Sequence, residues 1–126
     1  MSKFLRWIPA LVIMTVIFLS SATPSARIPN YGLWDTLVKK GGHMTGYALL
    51  AVSLWFGFNF EPRKGWLAGL LALAYAATDE FHQFFTPGRQ PSPVDVIVFD
   101  GGGALLGLYT ALWILRWKNK TLPKPA

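Results

Sequence analysis

The sequence contains no cysteine and little charge, and both absences narrow what the chain can be. Without cysteine it can form no disulfide, no thiolate nucleophile and no cysteine-ligated zinc site. Charged residues are 14% of the 126 residues, against about 25% in an average soluble domain. Hydrophobic residues are 52%, and the mean hydropathy is +0.35. This composition indicates an integral membrane protein, and the length allows one domain, over residues 1–126.

The net charge of +6 does not indicate a nucleic-acid-binding protein. The basic residues flank apolar segments instead of forming a stripe on a soluble fold, so anionic lipid headgroups are the expected counter-charge. We therefore expect membrane lipids as partners and no nucleic acid.

Four apolar segments predict an all-α fold, a bundle of four membrane-spanning helices. The helices are expected at about residues 7–23, 41–60, 65–85 and 94–117. The first segment follows Lys3 and Arg6 and also fits a cleaved signal peptide, but the three further segments favour an uncleaved helix. Residues 24–37 are predicted to form a loop, and Lys39 and Lys40 to open the second helix.

The distribution of Lys and Arg predicts that both termini are cytoplasmic. Eight of the 12 Lys and Arg residues then lie inside and four lie outside. We expect a multi-pass protein of the cytoplasmic membrane.

Ionisable residues from three helices are predicted to meet near the outer surface. Antiparallel threading brings His43, Asp79 and Asp95 to one level, with Asp100 about 7–8 Å deeper. His43 and Tyr47 share a helix face, and so do Asp79 and Gln83. Glu80 is rotated by about 100° from Asp79, so both are not expected at the bundle centre, and Glu80 is expected beside Lys40, Arg89 or the headgroups.

Charged groups within a membrane usually mark a site, which gives each of these residues a candidate role. His43, Asp79 and Glu80 are candidates for acid–base catalysis. The candidate ligand-binding residues are Lys40, Tyr47, Gln83, Arg89, Asp95 and Asp100. The structural alternative is that these residues pair across helices, with Arg89 bound to Asp95 or Glu80 and with Asp95 capping the fourth helix. We expect no cofactor and no metal, because no H-E-x-x-H spacing accompanies the His, Asp and Glu residues.

Three motifs follow one another along the chain: KKGGHMTGY (39–47), DEFHQFFTPGR (79–89), and Asp95 followed by DGGG (100–103). Together they resemble the VanZ-like family. The resemblance covers nearly the whole chain and implies a small membrane protein of the kind linked to resistance to teicoplanin.

The sequence departs from the family pattern at two places. Gly46 stands where relatives often carry an acidic residue. The spacing from Asp95 to Asp100 is one residue longer than usual, which in a regular α-helix rotates Asp100 by about 100°. A π-bulge among the following glycines would restore its direction. Gly101–Gly103 and Gly107 also predict a close approach of another helix.

Residues and resemblance together predict an outward-facing polar pocket that binds or modifies a lipid-linked or phosphate-bearing envelope component. The expected partner is a lipid-linked cell-wall precursor or a glycopeptide. Arg89 with Lys40 would hold the anionic group, and Asp79 or Glu80 with His43 would handle a proton. The residues leave open whether a reaction follows binding. The alternatives are a non-catalytic scaffold with a structural polar cluster and a small transporter.

Overall fold

The computed structural model describes residues 3–24 and 32–121, and every regular element in these ranges is helical. Helix α1 is Ile8–Ser21, preceded by a 3-10 turn at Phe4–Trp7. Helix α2 is Leu33–Gly57, and a 3-10 turn at Pro62–Lys64 leads into α3, Gly65–Gln83. Helix α4 joins a first turn, Pro93–Asp95, a π-helical segment, Val96–Gly101, and an α-helical segment, Gly102–Thr121. The predicted all-α class is confirmed.

The start of α2 differs from the prediction. The helix begins at Leu33, eight residues before the predicted start at residue 41, so the part of the predicted loop at 33–37 is helical. Residues 25–31 of that loop lie outside the described residues. Lysines mark where an apolar segment ends, not where a helix ends, and the Asp35–Lys39 ion pair at 2.5 Å stabilises the extra turns. His43 consequently lies in the third turn of α2, not in the first.

Helix α2 is the centre of the bundle, because it packs against the other three helices, most extensively against α4. Its buried side chains include Tyr47, Leu50 and Ala51. From α3, a row of buried alanines spaced four residues apart faces the core: Ala68, Ala72 and Ala76. Small side chains at this spacing let helix backbones approach closely.

The predicted close approach to the glycines of α4 is confirmed. A Cβ atom added to Gly103 would lie 2.9 Å from the Met44 Cα, and one added to Gly107 would lie 2.9 Å from the Ala48 Cα. Both glycines therefore allow the backbones of α2 and α4 to pack against each other. This contact fixes the height of the polar residues of α4 relative to those of α2.

The bundle has an apolar exterior and buried polar groups. Two segments of the described chain, Phe4–Ser21 and Pro93–Lys120, are long and apolar enough to cross a membrane. Helices α2 and α3, which carry most of the polar side chains, fall short of that standard. By length and composition, two of the four helices expected to span the membrane are therefore able to do so.

Candidate functional site

A polar cavity of about 450 Å³ lies between α2, α3, α4 and the segment that connects α3 to α4. Its lining includes seven of the nine predicted site residues, namely Lys40, His43, Glu80, Gln83, Arg89, Asp95 and Asp100. Tyr47 instead lines a second cavity, and Asp79 lines neither. The predicted residues are therefore in one region, although they do not all face the same space. Their catalytic and binding roles stay predictions.

Two contacts between α2 and α4 cross the polar cavity. The Lys40 Nζ lies 3.0 Å from Asp95 Oδ1, and the His43 Nδ1 lies 3.3 Å from Asp100 Oδ1. Asp95 was considered as a cap of the fourth helix, but it makes no capping bond; it lies in the first turn, and Ser92 is the N-cap residue. A carboxylate in a first turn is favourable beside the helix dipole, and Lys40 adds an opposite charge.

The π-helical segment explains how Asp100 reaches His43. Residues five apart diverge by roughly 140° on a regular α-helix, whereas a π turn brings them to one face, because its hydrogen bonds join residues five apart. Asp95 and Asp100 both line the polar cavity, and Asp100 is buried. The expected π-bulge is therefore present, but it occupies Val96–Gly101 and ends where the glycines begin.

Asp79 and Glu80 are both buried, with 3% and 8% of their surface exposed. The two side chains take different directions. Glu80 lines the polar cavity together with Lys40 and Arg89 but forms no ion pair with either of them. Its carboxylate accepts a hydrogen bond from the Ser92 backbone N–H at the start of α4. Helix α3 has neighbours on two sides, so adjacent residues are both covered, one facing the polar cavity and the other facing α1.

The Asp79 carboxylate belongs to a buried cluster between α1 and α3. The Ser21 hydroxyl donates to Asp79 Oδ2 at 2.7 Å, and the Gln83 side-chain amide donates to the same oxygen at 3.3 Å. Within the described ranges, the other carboxylate oxygen of Asp79 and the Tyr47 hydroxyl are buried without hydrogen-bond partners. Ser21 was not predicted, because a serine at the end of an apolar segment gives no signal of a partner 58 residues away.

Arg89 attaches the connection after α3 to the end of α1. Its Nη2 donates to the Ser20 carbonyl at 2.6 Å, and its Nε donates to the Thr23 carbonyl at 3.3 Å. A basic side chain at helix C-terminal carbonyls is favourable electrostatically. None of the ion pairs among the described residues includes Arg89, so the alternative pairing with Asp95 or Glu80 is wrong.

The charges that line the polar cavity leave one cation and one anion without an opposite partner in the part of the chain that the structure describes. Lys39 pairs with Asp35, Lys40 with Asp95, and His43 with Asp100. Arg89 and Glu80 bind backbone groups instead. The described residues hold no cluster of three or more His, Cys, Asp or Glu side chains able to bind a metal ion.

A second, mostly apolar cavity of about 410 Å³ lies between α1 and α2. Val16, Ile17, Val38 and Gly46 supply part of its wall, and the buried Tyr47 side chain lies along it. Three residues line this apolar cavity and the polar cavity alike: Lys39, His43 and Arg89. The two cavities are therefore neighbours, and basic side chains separate them.

Comparison with curated proteins gives no match, and comparison with solved structures gives none either. The family model described as VanZ/LLP1 matches residues 4–116, a range that includes all the motifs quoted above and both cavities. The resemblance seen in those motifs is thereby confirmed over nearly the whole chain. The chain belongs to the VanZ/LLP1 family.

Proposed function

We propose that the chain is a multi-pass protein of the cytoplasmic membrane, with four spanning helices and both termini in the cytoplasm. Every helix exposes large apolar side chains, for example Leu11, Val38, Leu70 and Leu105. Several polar side chains are buried between the helices, which is the reverse of a soluble protein. The bond from Ser21 to Asp79 joins α1 to α3 and favours an uncleaved first helix.

The orientation can be tested with single cysteines, because the native chain has none. Glu61→Cys lies between α2 and α3, and Gln90→Cys lies between α3 and α4; both positions are exposed. A thiol reagent that cannot cross membranes should label only the Gln90→Cys variant in intact cells. Labelling of the Glu61→Cys variant alone would reverse the proposed topology.

We infer that the polar cavity binds a phosphate-bearing or lipid-linked component of the cell envelope, and that this binding underlies resistance to a glycopeptide such as teicoplanin. The observation that carries the proposal is Arg89, which lines the polar cavity and has no carboxylate partner among the described residues. Its guanidinium suits phosphate geometry, and Lys40 lies in the same lining.

A structural role for the polar residues is the second candidate. The contacts Lys40–Asp95, His43–Asp100, Ser21–Asp79 and Arg89–Ser20 together join all four helices. Such contacts between spanning helices contribute about 0.6 kcal/mol on average. If this role is complete, every loss of function should follow a loss of stability.

Glu80→Gln separates the two candidates. The Gln side chain can still accept the Ser92 N–H bond, so the fold should keep its stability while the cavity loses one negative charge. We expect teicoplanin tolerance of cells that express the variant to change, while its unfolding in detergent matches that of the native chain. Arg89→Gln is the less informative change, because it also removes the bonds to the end of α1.

Phosphate binding can be measured directly with methyl phosphate on the purified chain. We expect methyl phosphate to raise the unfolding temperature, because a ligand that binds only the folded state stabilises it. Arg89→Lys keeps the charge but loses the planar fork, and should weaken this effect. A native chain whose unfolding temperature does not respond to methyl phosphate would contradict the proposed function.

A further inference from the structure

The two cavities differ in the charges that line them. Four carboxylates line the polar cavity, and none of them lines the apolar cavity: Asp35, Glu80, Asp95 and Asp100. The residues shared with the apolar cavity are Lys39, His43 and Arg89, and all three are basic types. An anionic group is therefore most favourable at the junction, and not in the middle of the polar cavity.

Arg89 has donors to spare at this junction. A guanidinium carries five N–H donors, and two of them bind the carbonyls of Ser20 and Thr23. The remaining donors have no bonds among the described residues. A phosphate at the junction would meet these N–H groups from a side chain whose position is already fixed, which lowers the entropy lost on binding.

The apolar cavity supplies what the chain of a lipid needs. Its wall includes Val16 and Val38, which are both exposed on the outer surface of the bundle, so the cavity opens between α1 and α2. A lipid headgroup can reach an enclosed polar site only if its hydrocarbon chain keeps apolar surroundings. Each methylene moved into polar surroundings would weaken binding about fourfold.

A buried tyrosine belongs to the wall of the apolar cavity. The Tyr47 side chain is fully buried and lines this cavity, and its hydroxyl lies near the Asp79 carboxylate, one oxygen of which is also buried without a hydrogen-bond partner in the described ranges. These two groups can satisfy each other. The apolar wall and the basic junction, and not this hydroxyl, therefore favour an amphiphile.

We propose that the two cavities form one site for a phosphate-bearing amphiphile. The phosphate lies at the junction against Arg89, the rest of the headgroup enters the polar cavity, and the hydrocarbon chain leaves between α1 and α2. This inference rests on the proposed function, because the headgroup occupies the same polar cavity. It adds the class of ligand, a lipid that enters between α1 and α2. It also excludes a free soluble phosphate as the natural ligand.

The test uses the full chain in phosphatidylcholine nanodiscs and two photoreactive probes. One is hexadecyl phosphate with a diazirine on its chain, and the other is hexadecanol with the same diazirine. We expect the phosphate probe to label the residues of the apolar cavity several-fold more than the outer face of α4 at Leu105 and Leu106, which are exposed. Unlabelled hexadecyl phosphate should compete, and hexadecanol should label both places alike.

A matched pair of variants tests the route by which the hydrocarbon chain of the ligand leaves the site. Val38→Trp fills the mouth of the apolar cavity, whereas Leu37→Trp adds the same ring one position away, outside its lining. The two native side chains are 71% and 63% exposed, so neither change disturbs the core. Val38→Trp should lower labelling of the cavity at least about fourfold, the cost of excluding one methylene, and Leu37→Trp should leave it unchanged. Val16→Trp on α1 is the second blocking variant if Val38→Trp does not fold.

The outcomes separate this inference from the proposed function. In one outcome, methyl phosphate stabilises the protein while hexadecyl phosphate labels it as uniformly as hexadecanol does. That result would overturn the proposal of an amphiphilic ligand but leave the phosphate site in place. Equal labelling in Val38→Trp and Leu37→Trp would overturn the proposed route as well. If neither methyl phosphate nor hexadecyl phosphate binds, the proposed function fails together with the inference.

Discussion

The two ends of the bundle are held together by different interactions. At one end, here called the aromatic end, Trp7, Trp55, Phe58 and Phe60 pack edge to face, with ring centroids 4.9 Å apart for Trp7–Phe58 and 5.4 Å apart for Trp55–Phe60. The Trp55 indole also donates to the Glu61 carbonyl at 2.8 Å. Lys64 pairs with Glu61 at 2.9 Å on the exposed side of this end. Aromatic packing is therefore the main interaction inside it.

The opposite, polar end contains both cavities and the buried carboxylates of Asp79, Glu80 and Asp100. Burying a charged group in a membrane protein costs several kcal/mol, and a partner recovers only part of this cost. Packing alone would favour apolar residues at these positions. The comparison teaches that packing is enough to explain the aromatic end, whereas the buried charges of the polar end call for either a binding function or specific pairing between helices.

The largest loss of stability is expected at the aromatic end, from Trp55→Ala. Trp55 is 3% exposed, and its removal leaves a cavity and takes away one of the two hydrogen bonds to the Glu61 carbonyl, which should cost about 3 kcal/mol. Methyl phosphate binding, measured on the folded fraction, should not change. Trp66→Ala is the control, because Trp66 is 69% exposed, and its unfolding should resemble that of the native chain. Equal losses in both variants would contradict the packing account.

The second largest effect is expected from Gly103→Ala. The added methyl group would press on the Met44 backbone, which cannot move without separating α2 from α4, and overpacking of this kind costs about 1–3 kcal/mol. The change should also weaken the contact between His43 and Asp100. Gly102→Ala is the matched control, because a Cβ there meets nothing within 4 Å. Unfolding of both variants in detergent would measure the difference.

A smaller effect is expected for the coupling between His43 and Asp100. A double-mutant cycle with His43→Ala and Asp100→Ala should give about 0.6–1.7 kcal/mol, the range for polar contacts between spanning helices. Deleting Val98 should convert the π segment to a regular α-helix in which the two aspartates are four residues apart, so Asp100 should keep its direction towards His43. The coupling energy should therefore be retained. A coupling that falls to zero after the deletion would show that the π segment does more than absorb one extra residue.

The smallest effect on stability is expected from Asp79→Asn. The Asn side chain keeps an oxygen that can accept the Ser21 hydroxyl, and its amide can donate to Tyr47, whose hydroxyl lacks a described partner. We expect the free energy of unfolding to change by no more than about 0.5–1.5 kcal/mol, the net contribution of one hydrogen bond. Asp79→Ala removes the acceptor and should cost more. Comparing the two by unfolding in detergent measures the hydrogen bond separately from the charge.

Much of the fold could be predicted because hydropathy and glycine spacing report directly on helices and their contacts. The bounds of α3 and α4 lie within a few residues of the prediction. The start of α2 could not be predicted in this way, because hydropathy detects where a segment is apolar and not where its hydrogen bonds begin. Helix α2 continues through Lys39 and Lys40, whose charges are paired with Asp35 and Asp95.

The site was predictable at the level of which residues gather, and less so at the level of their partners. Chain direction alone predicted that His43, Asp79 and Asp95 would lie at one level. His43 and Asp95 line the same cavity, whereas Asp79 bonds to Ser21 of α1. The bonds of Arg89 to carbonyls of α1 were missed, since a backbone acceptor leaves no trace in the sequence. The partner of Glu80 was missed for the same reason, because it is the Ser92 backbone N–H.

The π-helical segment has a consequence for comparing this chain with its relatives. Its extra residue is absorbed within one turn, so the helix before Val96 and the helix after Gly101 keep their faces while their numbering shifts by one. A relative without this turn would match Asp100 in space but not in a gap-free alignment. Column-by-column comparison would then pair the aspartate of one protein with a neighbouring residue of the other, and a shared carboxylate would look lost.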